Sequence, residues 1–152
     1  MANTYIKIYL HIVFAVKNRE ALIPTGWQVR IHSYLKNSIR EMGHVPISVG
    51  GVENHVHILI SYSGKQPLPD LIRDLKINST KFINKNGATR HHFFWQKGYA
   101  CFSYSHSQIE AVNKYISNQH AHHKGRTLVD EMKHMLGGFG VEYDEQYLFY
   151  DA

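Results

Sequence analysis

Residues 55–62, with the sequence His-Val-His-Ile-Leu-Ile-Ser-Tyr, constrain the fold of this chain more than any other stretch. Their β-branched and apolar residues favour a strand, and apolar residues fall on both faces of that strand. This pattern is typical of a central strand that is covered on each side. His55 and His57 are two residues apart, so their side chains project from one face and their rings can converge on a single ion.

The same two histidines also have a purely structural interpretation. Imidazoles in a buried strand need partners for their ring nitrogens, and backbone groups can provide them. For an isolated His-x-His pattern this interpretation is the commoner one, because two residues make a weak motif. A third ligand elsewhere in the chain is required before the pattern favours a metal site.

The residues before position 105 predict the element order β-α-β-β-α-β. Four segments have the composition of strands: residues 4–17, 45–52, 55–62 and 93–104. The last segment is interrupted by Gly98, where we expect a bulge or bend. Two amphipathic helices are predicted between strands, one from Pro24 to about Gly43 and one from about Pro69 to Asn86. This is the order of the ferredoxin-like fold, an α+β architecture in which an antiparallel sheet carries its helices on one face.

A further helix is predicted after these elements. Residues 107–110, Ser-Gln-Ile-Glu, have the pattern of a capping box, which predicts a helix start at Ser107. Tyr115 and Gln119 are four residues apart, so this helix brings them one turn apart at the edge of its apolar stripe. It therefore presents a phenol and an amide side by side, half-shielded from solvent.

No repeat or linker divides the chain, so we predict one domain over residues 1–152. Residues 1–104 form the ferredoxin-like core. Residues 105–152 contain the helix with Tyr115, a short helix from Thr127 to about Leu136, and an acidic tail.

The composition indicates a reducing compartment. Cys101 is the single cysteine of the 152 residues, so no disulfide can form within the chain. No apolar stretch approaches the roughly 18–20 residues of a membrane helix, and the first residues lack the pattern of a signal peptide. We therefore expect a soluble, cytoplasmic protein without a membrane partner.

The formal net charge is +5, and the excess of positive charge lies in the middle of the chain. Between residues 71 and 104, one acidic residue, Asp74, accompanies six basic residues: Arg73, Lys76, Lys81, Lys85, Arg90 and Lys97. This excess of positive charge suggests that the surface binds a polyanion. The alternative is that these residues form a solvated cationic face without a partner. Beside these charges, Trp95 and Tyr99 are candidates for base stacking. Packing against the sheet is the alternative for Trp95. For Phe94, packing against the sheet is the preferred expectation.

Several motifs of the chain resemble those of one family. His55-Val56-His57 resembles the HUH motif, and Tyr115-Ile116-Ser117-Asn118-Gln119 followed by His122-His123 resembles a nucleophile helix. Further matches are His11-Ile12-Val13-Phe14, Lys17-Asn18-Arg19, Gly50-Gly51-Val52, Trp95-Gln96-Lys97-Gly98-Tyr99 with Phe102-Ser103, and Val141-Glu142-Tyr143-Asp144-Glu145. Over essentially its whole length the chain resembles the HUH-type single-tyrosine transposases of small insertion sequences, the IS200-like family.

The resemblance implies a DNA transposase that cuts and rejoins single-stranded DNA with hairpin ends. It implies that Tyr115 attacks the scissile phosphate to give a 5′-phosphotyrosine, and that His55, His57 and Gln119 hold Mg²⁺ or Mn²⁺. It also implies a homodimer in which the tyrosine helix of one subunit completes the metal site of the other. Imidazole ligands alone favour zinc or another transition metal, so the choice of Mg²⁺ or Mn²⁺ comes from the family.

The residue types suit this chemistry on independent grounds. A tyrosine oxygen can hold a phosphoryl group as an ester and so keep the energy of that bond for rejoining. The ordinary pKa of tyrosine, about 10, keeps the hydroxyl mostly neutral, so the site needs a cation to polarise the phosphate.

Two other functions are compatible with the residues. One is a non-catalytic module that binds single-stranded DNA or RNA through its basic surface, with a strong salt dependence. In such a module the histidines are core residues. A metal-dependent nuclease that uses water cuts DNA but leaves no covalent adduct. Transposases built on three carboxylates are disfavoured, because the acidic residues offer no triad on apolar strands and the last of them form a tail-like cluster.

Overall fold

The structure is a computed structural model that describes residues 2–17, 19–122 and 125–149. Asn18 and His123, which belong to two of the matched motifs, lie outside the described residues, as do the side chain of His122 and residues 150–152. Within the described ranges, no helix is long and apolar enough to cross a bilayer.

Four strands of the described chain form an antiparallel sheet: β1 (Ile8–Ala15), β2 (Val45–Val52), β3 (His55–Tyr62) and β4 (Ala100–Tyr104). Their order across the sheet is β2-β3-β1-β4, which puts β1 and β3 at its centre. β1 pairs with β3 over the full length of both strands, from Ile8 opposite Tyr62 to Ala15 opposite His55. The ferredoxin-like topology predicted from the sequence is confirmed, and the histidine strand is central.

Two long helices, α1 (Thr25–Glu41) and α2 (Leu68–Lys85), cover one face of the sheet. Pro24 precedes α1 in an extended conformation. Gly43 follows α1 with a φ of +87°, a conformation that a residue with a Cβ rarely adopts. The core on this face is built from side chains of β1, β3 and the two helices: Ile12, Phe14, Ile31, Leu35, Ile39, Val56, Ile58, Ile60, Leu71, Leu75 and Ile83.

Three shorter helices cover the opposite face: α3 (Ile109–Ser117), α4 (Gln119–His122) and α5 (Leu128–Gly138). One apolar cluster joins α5 to β1 and β4: Leu128, Met132, Leu136, Val13, Ala15 and Phe102. Val112 and Ile116 of α3 pack on Leu59 of β3. Both faces of β3 are therefore covered, as its apolar pattern predicts, and His55 and His57 lie on the side of α3, α4 and α5.

The predicted strand over residues 93–104 is shorter in the structure. β4 begins at Ala100, and before it only Trp95 forms an isolated bridge, to Val16. Gly98 has a φ of +85°, which turns the chain between these two segments. The expected bend at this glycine is thus confirmed, and it ends the pairing.

The predicted helix with Tyr115 and Gln119 is divided. Ser105, not Ser107, provides the capping box, and α3 follows a 3₁₀ turn. α3 ends at Ser117, whose Oγ donates to the carbonyl oxygen of Asn113 at 2.9 Å. Such a bond from a side chain to the preceding turn often bends a helix. Gln119 therefore begins a separate helix, α4.

Gly50 of β2 lies directly against α3. A Cβ at this position would be 2.5 Å from the carbonyl oxygen of Ile116 and 2.9 Å from its Cγ2, so one element would have to move. We expect Gly50→Ala to lower the free energy of unfolding by roughly 1–3 kcal/mol, measured by chemical denaturation. Gly26→Ala in α1 is the matched control, because a Cβ there meets nothing within 4 Å and alanine favours a helix. Equal stability of the two variants would contradict the close packing of α3 on β2.

Candidate metal centre and nucleophile

His55 and His57 are fully buried, and their rings converge on the side of the sheet that α3, α4 and α5 cover. Their Nε2 atoms are 3.1 Å apart. Nδ1 of His55 lies 2.7 Å from Oδ1 of Asn54, and Nδ1 of His57 lies 2.7 Å from Nε2 of His11. Each ring is therefore held at its outer nitrogen, with Nε2 directed at the other histidine.

The contact with Asn54 defines the tautomer of His55. An amide oxygen only accepts hydrogen bonds, so Nδ1 of His55 carries the proton and donates it to Oδ1 of Asn54. Nε2 of a neutral His55 then presents a lone pair toward His57. A lone pair at this atom, with the other nitrogen held by an acceptor, is the arrangement of a metal-ligating histidine.

Gln119 reaches the same point from α4. Its side chain is buried, and Oε1 lies 3.3 Å from Nε2 of His55. Nε2 of Gln119 donates to the carbonyl oxygen of Tyr115 at 3.3 Å, which directs Oε1 toward the histidine. The structure thus brings the predicted amide and both predicted histidines together, although α3 ends before Gln119.

Glu131 is a fourth side chain at this point, and it is not among the residues that the sequence predicts. It lies on α5 and is 2% exposed, with Oε1 3.0 Å from Nε2 of His57. The ligand atoms of His55, His57 and Glu131 all lie within 4.8 Å of one another, so these residues could hold a metal ion. Glu131 therefore belongs to a buried helix face and not to an acidic tail. The signal for it is local: Leu128 and Met135, its helix neighbours at spacings of three and four, are apolar.

Two imidazole nitrogens, an amide oxygen and a carboxylate oxygen thus converge on one buried point. With both histidines neutral and protonated at Nδ1, all four atoms carry lone pairs, and such atoms repel one another unless a proton or a cation lies among them. Nitrogen and oxygen donors in this combination suit a divalent ion. The residues present therefore fit the metal that the resemblance implies.

Tyr115 of α3 lies beside this cluster. Its hydroxyl donates a hydrogen bond to Oε1 of Glu131, and its ring stands edge-on to that of His57 at a centroid distance of 5.6 Å. Burial, followed by the hydrogen bond to Glu131, raises the pKa of Tyr115 above its ordinary value, so the hydroxyl is protonated at neutral pH. In this structure one chain brings the tyrosine, the amide and both histidines together.

His11 of β1 supports the ring of His57 from the adjacent strand. It is fully buried, and its Nδ1 lies 3.4 Å from the hydroxyl of Tyr104. Burial, and to a smaller extent the neighbouring His57, lowers the pKa of His11 to about 3, so this ring is neutral. The sequence shows His11 only as part of a matched motif, because the contact between its ring and that of His57 depends on the register of β1 against β3.

An open cleft of about 720 Å³ between α3 and α5 reaches Tyr115 and Glu131. Tyr104, Arg126 and His134 also line this cleft. Tyr115 is therefore approached from solvent through the cleft, whereas the two buried histidines are not among its lining residues.

A second cavity, of about 560 Å³, lies between the outer face of α2 and residues 94–99, and we call it the basic groove. Five of the predicted DNA contacts line it: Arg73, Lys76, Lys81, Trp95 and Lys97. The other two, Lys85 and Arg90, are not among its lining residues. Charge alone therefore predicts the basic residues of the groove, and the apolar residues between them are found only from the structure.

The aromatic residues of the basic groove are arranged differently from the sequence expectation. Trp95 is 7% exposed, and its Nε1 donates to Oγ of Ser79 at 2.9 Å, so a base cannot stack on it. Phe94, expected to pack on the sheet, is 49% exposed. The bridge between Trp95 and Val16 turns Trp95 inward, and alternation along an extended chain turns Phe94 outward. Tyr99 is 37% exposed and stays available for stacking.

Lys76 is held by the loop beside it. Its Nζ donates to the carbonyl oxygens of Gln96 and Gly98 at 2.8 and 2.6 Å. Burial lowers the pKa of Lys76 to about 8. This lysine therefore anchors the turn at Gly98, and its charge is partly engaged within the protein.

Comparison with known proteins places these features in one family. A family model described as "Transposase IS200 like" matches residues 4–119. The ISDra2 transposase TnpA of Deinococcus radiodurans is 24% identical over 115 residues, which cover 72% of this chain and 82% of that protein.

Two solved structures share the fold. One is named as a transposase from Deinococcus radiodurans R1, with a TM-score of 0.59 and 18% identity, over 78% of this chain and 96% of that one. The other is a REP-associated tyrosine transposase bound to a REP hairpin, with a TM-score of 0.58 and 15% identity, over 97% of this chain and 89% of that one. The sheet and its helices thus have the same fold as these two structures.

The chain belongs to the IS200-like transposase family. It is accordingly a transposase, an enzyme of DNA cleavage and strand transfer. The matched segment includes both histidines, Tyr115 and Gln119, and it ends before Glu131.

Proposed function

We propose that this transposase cuts and rejoins single-stranded DNA at the ends of an insertion sequence, with Tyr115 as the nucleophile. One observation carries the proposal: Tyr115 lies beside a buried cluster in which His55, His57 and Gln119 direct their donor atoms at one point. Tyr115 also lines the cleft that opens to solvent, so a DNA strand can approach this residue.

The proposed reaction exchanges one phosphate ester for another. The oxygen of Tyr115 attacks the scissile phosphorus, a bond from this oxygen to phosphorus forms, and the bond from phosphorus to the DNA 3′ oxygen breaks. The tyrosine loses its proton and the 3′ oxygen gains one, which leaves a 5′-phosphotyrosine and a free 3′-hydroxyl. A later 3′-hydroxyl reverses the step, so strand joining needs no ATP.

His55, His57 and Gln119 are the proposed ligands of Mg²⁺ or Mn²⁺. When bound, the ion supplies positive charge to the phosphate oxygens and stabilises the charge that develops on them. Asn54 and His11 contact the Nδ1 atoms of the two ligating histidines, and these contacts keep the Nε2 lone pairs directed into the cluster.

Single-stranded DNA with hairpin ends is the proposed substrate. The REP-associated transposase that shares this fold was solved with a REP hairpin, and this likeness supports a hairpin ligand here. A homodimer that exchanges the tyrosine helix is proposed from the resemblance.

The basic groove is proposed to hold the DNA backbone, and its exposed lysines test this. We expect Lys81→Gln combined with Lys97→Gln to weaken binding of a single-stranded hairpin and to reduce the slope of log K against log salt by about 1.5, at roughly 0.7 to 0.9 per phosphate contact. Fluorescence anisotropy over a series of salt concentrations measures both effects. Lys7→Gln with Lys65→Gln removes the same charge from two exposed lysines outside the groove. If both double variants lower the slope equally, the groove is not the binding surface.

The proposed function is tested by incubating the protein with labelled single-stranded DNA from the flanks of its own gene, with Mg²⁺ or Mn²⁺, on a denaturing gel. We expect a protein–DNA adduct that survives denaturation, and a shortened strand with a free 3′ end. Cleavage without an adduct would instead identify a hydrolytic nuclease. A band that is retarded on a native gel but uncut on the denaturing gel would identify a binding module.

A further inference from the structure

We propose that Glu131 is a fourth ligand of the divalent ion, an assignment that rests on the metal-dependent function proposed above. Its carboxylate oxygen Oε1 lies 3.0 Å from Nε2 of His57 and forms part of the cluster that could hold a metal. The residue lies beyond the segment that the family model matches, so family membership assigns it no role.

The burial of Glu131 supports this role. Its position on α5 is flanked by Leu128 and Met132, which are buried in the apolar cluster against the sheet. A carboxylate is costly in such a position unless opposite charge or hydrogen bonds compensate for the lost water. His57 and Tyr115 both contact its carboxylate oxygen Oε1, and a divalent ion at the same point would add an opposite charge.

The chemistry of the donor set also supports it. Two imidazoles and one amide are neutral donors, and imidazole favours zinc or other transition metals. A carboxylate is a hard, charged donor, of the kind that binds Mg²⁺ and Mn²⁺. Glu131 therefore supplies a hard, charged donor, which His55, His57 and Gln119 lack. The ions that the family is expected to use, Mg²⁺ and Mn²⁺, prefer such a donor.

Glu131 also connects the metal site to the nucleophile. The hydroxyl of Tyr115 donates its hydrogen bond to Oε1, the same oxygen that faces His57. An ion held by Glu131 would draw electron density from this oxygen and would weaken that hydrogen bond. Metal binding would therefore loosen the hydroxyl of Tyr115 from Glu131, whereas the metal-free protein keeps this hydrogen bond.

Metal titration without DNA tests the assignment. Binding of Mn²⁺ is measured by isothermal titration calorimetry and by the loss of the electron paramagnetic resonance signal of free Mn²⁺. We expect Glu131→Gln to raise the Kd for Mn²⁺ by on the order of 10- to 100-fold and to affect Zn²⁺ binding much less, because the histidines dominate the zinc affinity. Asp130→Asn is the matched control, since Asp130 is the exposed neighbour on the same helix and its change removes the same charge.

Further variants separate a ligand from a merely structural residue. Glu131→Asp keeps the carboxylate and is expected to recover part of the preference for Mn²⁺ over Zn²⁺, which a packing defect would not restore. Tyr115→Phe frees the carboxylate from its hydrogen bond and is expected to bind Mn²⁺ at least as tightly as the wild type. Thermal melts verify that each variant is folded.

The outcomes distinguish this assignment from the proposed function. If wild type and Glu131→Gln bind Mn²⁺ equally while His57→Ala binds it weakly, Glu131 is not a ligand and the histidine site stands. If the wild type binds no divalent ion, both the Glu131 assignment and the metal-dependent function are overturned.

Discussion

Tyr115→Phe is expected to abolish the covalent protein–DNA adduct and to lower strand cleavage by at least about 10³-fold. Phenylalanine fills nearly the same space but has no oxygen to form the bond to phosphorus. The measurement is a denaturing gel of labelled single-stranded DNA with Mn²⁺, in which the adduct band and the cleaved strand are quantified separately. Hairpin binding is expected to persist, because the substitution leaves the basic groove unchanged.

The matched control for this prediction is Tyr104→Phe. Tyr104 lines the same cleft as Tyr115, and its hydroxyl lies near His11 instead of Glu131. We expect this variant to keep the adduct. An adduct that persists in Tyr115→Phe and disappears in Tyr104→Phe would identify Tyr104 as the nucleophile.

Loss of the hydrogen bond to Glu131 is expected to lower the free energy of unfolding of Tyr115→Phe by about 1–2 kcal/mol, so a thermal melt accompanies the assay.

His57→Ala is expected to lower both adduct formation and Mn²⁺ affinity by on the order of 10²-fold or more. His57 is the central member of the cluster, since its Nε2 contacts both His55 and Glu131. Its removal leaves the phosphate without a charge-neutralising ion and the carboxylate without its nearest nitrogen. The rate of adduct formation is measured against Mn²⁺ concentration, and EDTA treatment of the wild type should give the same loss.

His91→Ala is the control for this variant, because His91 is exposed on the surface. Cleavage at wild-type rates in His57→Ala or in EDTA would contradict a metal-dependent mechanism. A mixture of His57→Ala with Tyr115→Phe further tests how the site is assembled. If the proposed homodimer exchanges its tyrosine helices, we expect the mixture to recover cleavage, because one site then combines an intact His57 with an intact Tyr115. A mixture that stays inactive would show that each site is completed within one chain, as it is in the structure.

The fold is predicted well from the sequence because its signals are local and mutually consistent. The apolar pattern of residues 55–62 requires cover on both faces, and the structure provides α1 and α2 on one side and α3 to α5 on the other. The bend at Gly98 depends on the backbone freedom of a single glycine. Element boundaries are predicted less well, since the side chain of Ser117 interrupts a helix whose periodicity continues through Gln119.

In the basic groove, composition is insufficient to predict which aromatic side chains face the solvent. Charge alone predicts its lysines and Arg73, but the direction of each neighbouring aromatic ring depends on one bridge between Val16 and Trp95. That bridge joins residues far apart in the chain, and no local pattern specifies it. Trp95 therefore lies in the core, which is the alternative to base stacking, and Phe94 lies outside, contrary to the expectation that it packs on the sheet.

The sequence by itself determined the order of strands and helices along the chain, the pair His55 and His57 on one face of a strand, and the spacing of Tyr115 from Gln119. These features follow from the periods of strands and helices, which act between near neighbours in the chain. Only the tertiary structure decided that His11 supports His57 and that Glu131 enters the same cluster from α5. The reason is physical: a donor set is completed by side chains from separate elements, and the packing of those elements on the sheet, not their spacing in sequence, sets the distances among them.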